Sequence, residues 1–504
     1  MFKKLALTVA MTTALMSQAW ACTTIVVDRG ATENGAYMIA RSVDGHINTP
    51  QQIVLHPAVK NQKGMYRTKE TGFRGTAFEY PLPETAFAYS STPTWKPNVK
   101  DMQVFNDGAS GFNDQGVGLS GTESIFASPE ALKADPYNKV NGLTEVDVTN
   151  VILPRAKTAR DGVKILGHII ETIGVGEGIG VAFVDKNELW YLESGSGHQW
   201  LARRIPKNQY LASANQGRLQ EYDPNSEDYL ASPNLVSFAV EHGLYNPQKD
   251  GAFNFSKAYI RDDSRDRTYN DPRVWVIQKT FTPSLEQPMQ EGRQFPVFAT
   301  PDKKLVLADL KKMMRNHYQG EEYDPYSNGM TSEMPYRPIS VPRAFQTHIL
   351  EVRPDLPSAI GQIRYLAFGM ADLSVFLPIY DGLNTIPEAF TTGTRQADNV
   401  SFFWKIRKLQ GLVMTDYPAL APMVHEAYEQ FENQTETAQK AFEADYLKMV
   451  KKDPAGAQKL LNTFNLKVLA DAESLTDSLA NKVATEQMKL LLKKYPFKNK
   501  KNHD

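Results

Sequence analysis

The 504 residues contain one cysteine, Cys22, and it directly follows a segment with the marks of an export signal. Lys3 and Lys4 give a positive start, Leu5 to about Met16 is apolar, and Ala19 and Ala21 stand at the small-x-small positions before Cys22. A signal peptidase cuts after that pattern, so residues 1–21 read as a removable signal peptide and the protein as exported, periplasmic or secreted. One cysteine allows no intramolecular disulfide. A chain exported without disulfides must be held by a packed core, and this one is long enough to build it.

Cleavage after Ala21 would leave a thiol and a free α-amine on one Cα. The amine titrates near ~8 and the thiol near ~8.5, so the amine can take the thiol proton, directly or through a water. That is a nucleophile carrying its own base. Two other readings of Cys22 stay open on these residues. One is a leftover thiol, although a free thiol is a liability in an oxidising compartment. The other is a lipoprotein anchor. That signal wants Leu-(Ala/Ser)-(Gly/Ala)-Cys, where this chain has Ala19 and the bulky Trp20.

The composition, 41% hydrophobic and 22% charged, is that of a soluble globular protein. A formal net charge of −1 lacks the basic surface that nucleic-acid binding needs. No apolar run after the signal approaches the ~18 residues of a membrane span. The nine histidines are scattered and no His-Glu-x-x-His occurs, so neither a metal nor another cofactor is expected.

Thr23 to Asp28 is β-rich, Gly30 to Gly35 is turn chemistry, and Ala36 to Arg41 is a second strand, so the two predict a hairpin. A hairpin returns the end of its second strand beside the start of its first, placing Arg41 and Asp44 near Cys22. A guanidinium there favours thiolate, and a carboxylate would orient the α-amine. An ordinary ion pair at a turn explains the same spacing equally well.

Cys22-Thr23-Thr24-Ile25-Val26-Val27 followed by Ala40-Arg41-Ser42-Val43-Asp44 resembles the opening of the C69 dipeptidases, relatives of the penicillin V acylases and bile-salt hydrolases. The resemblance continues through Gly111-Phe112-Asn113-Asp114-Gln115-Gly116-Val117 with Thr122-Glu123-Ser124, through Leu153-Pro154-Arg155-Ala156, and through Trp190-Tyr191-Leu192-Glu193 with Gly197-His198-Gln199-Trp200. It covers most of Cys22 to about Gly393.

The resemblance implies an α+β fold, the αββα four-layer sandwich of N-terminal nucleophile (Ntn) hydrolases with two stacked, mainly antiparallel sheets. It implies an Ntn catalytic domain over residues 22–393, with a helical region over 394–504 packed on it and ending in a lysine-rich tail. It also implies a cysteine dipeptidase acting on small peptides, with Cys22, Arg41, Asp44, Asn215 and Arg273 as catalytic-site residues. Asn215 would donate to the oxyanion, and Arg273 would support the site from outside the first contacts. Asn113 and Glu123 would meet the substrate. The acylases carry asparagine or tyrosine where this chain has Glu123. An ionised carboxylate cannot donate to an oxyanion, but it could bind the ammonium group of a peptide. Hydrolysis of a non-peptide amide, a lipid-anchored protein without catalysis, and a homo-oligomer all stay open.

Other stretches read as structural. Gly116 to Gly121 is a literal G-x-G-x-x-G, but no βαβ unit follows it, so a turn and a close-packed strand ending at Glu123 fit better. Residues 145–174 have helical periodicity, with Pro154 marking a kink or a new start. His198 and His348 read as bonded structural histidines. Arg261 to Arg273 reads mainly as a solvated charged loop, and 319–337 as a long loop. From about Phe402 the chain turns helical, with Val424, Tyr428, Phe431, Ala438, Phe442 and Met449 on one face.

Overall fold

The computed structural model describes residues 22–45, 47–68, 76–95, 108–289, 295–326 and 335–495. The signal segment and residues 496–504 of the lysine-rich tail lie outside the described residues. Thr23-Thr24-Ile25-Val26-Val27 is β-branched at every position and forms strand β1, Thr23–Val27. The hairpin is present: β2, Tyr37–Asp44, pairs antiparallel with β1, placing Thr24 opposite Arg41 and Thr23 opposite Ser42.

The following strands of the two large sheets are β3 (Ser110–Phe112), β4 (Gly118–Ser124), β5 (Ile179–Val184), β6 (Leu189–Ser194), β7 (Trp200–Arg204) and β8 (Tyr210–Ser213). After them come β9 (Tyr229–Ala231), β10 (Phe298–Ala299), β11 (Ala344–Val352), β12 (Gln362–Phe368) and β13 (Leu377–Tyr380). Sheet one has seven strands in the order β10-β8-β1-β2-β11-β12-β13, and sheet two has six in the order β9-β7-β6-β5-β4-β3. Every pairing within these two sheets is antiparallel.

The central strands are buried on both faces, and β5, Ile-Gly-Val-Ala-Phe-Val, accordingly reads as an unbroken apolar run. Val26 and Ile39 of sheet one share a core with Ala182, Val184, Tyr191 and Leu201 of sheet two, so the sheets stack face to face. Ile25, Val27, Met38 and Ala40 point the other way, onto helices α3 (Asp271–Phe281) and α4 (Leu307–Met314). Val181, Phe183, Trp190 and Leu192 form the outer face of sheet two, under α1 (Glu145–Ile152) and α2 (Ala159–Thr172). The result is the four-layer αββα sandwich. The helical stretch expected over 145–174 is broken at Pro154, and α2 restarts behind its cap Thr158, whose side chain accepts from the Asp161 N–H.

The C-terminal region is helical: α5 (Phe402–Val413), α6 (Tyr417–Met449) and α7 (Pro454–Lys494). Val424, Tyr428, Phe442, Leu461 and Leu469 from α6 and α7 join the same apolar cluster as sheet one. The expected stripe on α6 needs one correction. Ala438 is exposed, and the middle of the buried face is polar: Glu432, Thr435 and Gln439. Their partners on other elements explain this. Glu432 meets Arg315 and Lys311, and Gln439 donates to the Tyr365 and Tyr380 hydroxyls.

Candidate active site

Along β1 the side chains alternate, so Cys22 shares the face of Thr24 and Val26 that looks between the sheets. Arg41, opposite Thr24, faces the same way. Its Nη2 donates to Cys22 Sγ at 3.1 Å. Its remaining contacts are the carbonyls of Gly121, 2.8 Å from Nη1, and Thr122. Those carbonyls are available because the β4–β5 register shifts between Gly121 and Glu123, and such a bulge turns backbone groups out of the ladder. Cys22 is 1% exposed. Burial pushes its thiol up to about 12, while Arg41 pulls it back down. The Arg41 charge is itself disfavoured by burial, but Cys22, Glu123 and Glu145 raise its pKa above the ordinary value. Opposite Arg41 on the neighbouring strand β11 stands His348, fully buried and 2.8 Å from Ser120 Oγ, its pKa pushed down by burial and by Arg41.

A second arginine reaches the same cysteine from the helix layer. Arg273, third residue of α3, donates to the Cys22 carbonyl, to Thr23 Oγ1 at 2.9 Å and to Asn215 Oδ1 at 2.9 Å. Asn215 follows the end of β8 and is clamped by Asn270. Its N–H reaches Asn270 Oδ1 at 3.1 Å, and its carbonyl accepts Asn270 Nδ2 at 3.1 Å. The Asn215 Nδ2 donates to Glu123 Oε1 at 3.1 Å, and Thr24 Oγ1 donates to Glu123 Oε2 at 2.6 Å. Burial raises the Glu123 carboxyl to about 7 against the pull of Arg41. Burial, with Arg337 nearby, lowers Arg273 to about 10.

Asp44 ends β2 and is fully buried. Its Oδ2 takes Arg337 Nη2 and, at 3.3 Å, Arg343 Nε. Its Oδ1 has no hydrogen-bond partner among the described residues. The carboxylate lies close enough to Cys22 for its charge to raise the thiol pKa.

Thus Cys22, Arg41, Asp44, Asn215, Arg273 and Glu123 converge from both sheets and α3. The model of Peptidase family C69 matches residues 21–430 of this sequence. The chain belongs to peptidase family C69. Among similar proteins, the "Probable dipeptidase" of Salmonella dublin is 49% identical over 369 residues, which cover 73% of this chain and 82% of that one. The "Probable dipeptidase A" of Streptococcus pyogenes serotype M3 is 33% identical over 408 residues, 79% of this chain and 84% of that one. The "Probable dipeptidase" of Latilactobacillus sakei is 33% identical over 402 residues, 79% and 82% of the two chains. The C69 match runs past 393 into α6.

In this C69 peptidase the contacts bear on three expectations. Asn113 is no substrate contact: its Nδ2 donates to the Leu153 and Ala156 carbonyls, and its Oδ1 accepts from Gln115 N and Val117 N. Every bonding position of that amide is spent on backbone. Glu123, expected at the substrate, is as buried as Cys22. Its two oxygens accept from Thr24 Oγ1 and Asn215 Nδ2. Finally, Arg273 touches the Cys22 carbonyl directly and does not merely stand behind it, and its stretch is helical in part, with Asp266–Tyr269 and α3.

His198 Nδ1 is 2.7 Å from Asp135 Oδ1, and its N–H donates to Asp135 Oδ2, a structural pairing. Sequence reasoning passed over Thr24, Asn270, Arg337 and Arg343. Thr24 was part of a recognised motif, whereas Asn270 and Arg337 lie in stretches without periodicity. Among the described residues no group of His, Cys, Asp and Glu gathers as a metal site.

Proposed function

We propose that this C69 peptidase is an exported dipeptidase whose nucleophile is the Cys22 thiol, exposed at a new N-terminus by cleavage after Ala21. The observation that carries this reading is the contact between Arg41 Nη2 and Cys22 Sγ, at 3.1 Å, directly behind the cleavage pattern. In the unprocessed chain the Cys22 nitrogen is a peptide amide and cannot accept a proton. Once freed, the α-amine takes the thiol proton, and Sγ attacks the scissile carbonyl carbon. The carbonyl oxygen becomes an oxyanion, which Asn215 Nδ2 stabilises. Collapse breaks the C–N bond, and the ammonium returns its proton to the leaving amine. Water, deprotonated by the same amine, then cleaves the thioester.

Arg41 favours the thiolate. Asp44, with one buried oxygen lacking a partner among the described residues, orients the α-amine. Glu123 and Arg273 grip the two ends of the Asn215 amide. The similar proteins named as dipeptidases support dipeptides as substrates, ahead of non-peptide amides. Intact mass together with hydrolysis assays tests the reading. Mature protein beginning at unmodified Cys22 and splitting dipeptides supports it. A diacylglycerol-modified Cys22 without hydrolysis, or activity confined to acylated amines, overturns it.

A further inference from the structure

The stretch Trp190-Tyr191-Leu192-Glu193 ends in a carboxylate that the reaction above leaves without a part. Glu193 is 0% exposed. Its Oε1 accepts the N–H of Arg218 at 2.7 Å and its Oε2 the N–H of Leu219 at 3.0 Å. Both residues are buried, so no solvent stands in for the carboxylate. They belong to the turn that leaves β8 and begins with Asn215.

The strand register explains the arrangement. Glu123 on β4 and Glu193 on β6 are both paired with Gly180 on β5, one from each side. Residues paired across a ladder point to the same face, so both carboxyl groups leave sheet two toward the same turn. Glu123 holds the side-chain amide of Asn215, and Glu193 holds the main chain three and four residues further on. On the opposite side Asn270 holds the Asn215 backbone, and Gln216 donates to Asp271. The turn is therefore gripped from both sides, and Glu193 supplies the grip from sheet two.

We propose that Glu193 is a positioning residue for the oxyanion-binding amide: by fixing the turn at Arg218 and Leu219 it keeps Asn215 Nδ2 aimed at the charge that develops during attack. This rests on the reading of Asn215 as the oxyanion donor. A carboxylate suits the task because two N–H donors face two acceptor oxygens. Glutamine would turn an NH₂ toward an N–H, donor against donor.

A double-mutant cycle on the mature enzyme tests the proposal, with kcat and KM measured for Glu193→Gln, Asn215→Ala and the pair, and thermal melts as a check on folding. Losing an oxyanion donor costs on the order of 10²–10³ in kcat, the effect expected for Asn215→Ala. Misplacing it through Glu193→Gln is expected to cost about tenfold or more in kcat, with KM within about twofold. In the Asn215→Ala background the same substitution is expected to change kcat by less than about twofold, because residues acting through one another do not add. Full additivity, or an unchanged kcat in folded Glu193→Gln, overturns the inference. An unchanged kcat in Asn215→Ala overturns the oxyanion reading, a separate outcome. If Glu193→Gln does not fold, the cycle is run with Glu193→Asp, which keeps the charge and both acceptors on a shorter arm, and the same criteria apply.

Discussion

Arg41 Nη2 stands 3.1 Å from Cys22 Sγ, while the carbonyls of Gly121 and Thr122 hold the same guanidinium from the second sheet. The charge beside Cys22 is thus fixed by a bulge on a different sheet. Because Arg41 opposes the effect of burial on the thiol, its loss should raise the thiol pKa further. Arg41→Met keeps an unbranched stem and removes the charge. The pH midpoint of thiol alkylation should move up, and kcat/KM should fall about 10- to 100-fold, the worth of one charge-assisted hydrogen bond. An alkylation midpoint that stays in place or moves down would show that Arg41 does not tune Cys22.

Cys22→Ala should abolish hydrolysis without disturbing the fold, since the proposed mechanism attacks the carbonyl through the Cys22 thiol. Cys22→Ser should retain at most a trace, because a hydroxyl is far harder to deprotonate than a thiol. Dipeptide turnover assays with a melting curve on each variant check both. Normal turnover by the alanine variant is incompatible with the mechanism.

Glu123 makes a prediction about stability and pH. Its ordinary value of 4.5 is raised to about 7 by burial, so the native state binds this proton more tightly than the unfolded chain does. The Glu123 contribution to stability is therefore undiminished below about 4.5 and is lost as pH rises through about 7. Glutamine does not ionise and suffers no such loss. The Tm of Glu123→Gln minus that of the unsubstituted protein should grow more positive across this window. A difference independent of pH would mean that Glu123 does not titrate there.

The C-terminal helices offer a separate test. Glu432 on α6 is 3.4 Å from Lys311 Nζ, binds Arg315, and accepts the Phe376 N–H at 2.7 Å. Removing one partner of a buried ion pair strands the others, at a cost of about 3–5 kcal/mol. Glu432→Leu should lower stability by that order in chemical denaturation. A loss of less than about 1 kcal/mol, the range of exposed pairs, would show that this contact contributes little.

The hairpin of β1 and β2 was legible because Thr-Thr-Ile-Val-Val has one periodicity and a turn to end on, and the register then brings Arg41 to Cys22. Pro154 announced the break between α1 and α2 because it lacks an N–H. What stayed hidden depends on partners distant in sequence. Arg337 reaches Asp44 across 293 positions, out of a stretch with no pattern. Glu432 and Gln439 look like solvated positions until Arg315, Tyr365 and Tyr380 are seen opposite them. Asn113 shows the reverse failure. A motif gives a residue its place in the chain, but not the direction of its amide, which here is bound entirely to backbone.

The central claim is that the α-amine of Cys22 is the base. It is tested most directly by comparing two mature proteins that differ only at the N-terminus, one beginning at Cys22 and one retaining Ala21, with both termini verified by intact mass. The extended form keeps the thiol, Arg41 and Asn215 but converts the amine to an amide, which accepts no proton at neutral pH. The form beginning at Cys22 should hydrolyse dipeptides, and the stably extended form should fold with the same melting temperature but be inactive. Hydrolysis by the extended form at the rate of the trimmed one would mean that another group is the base.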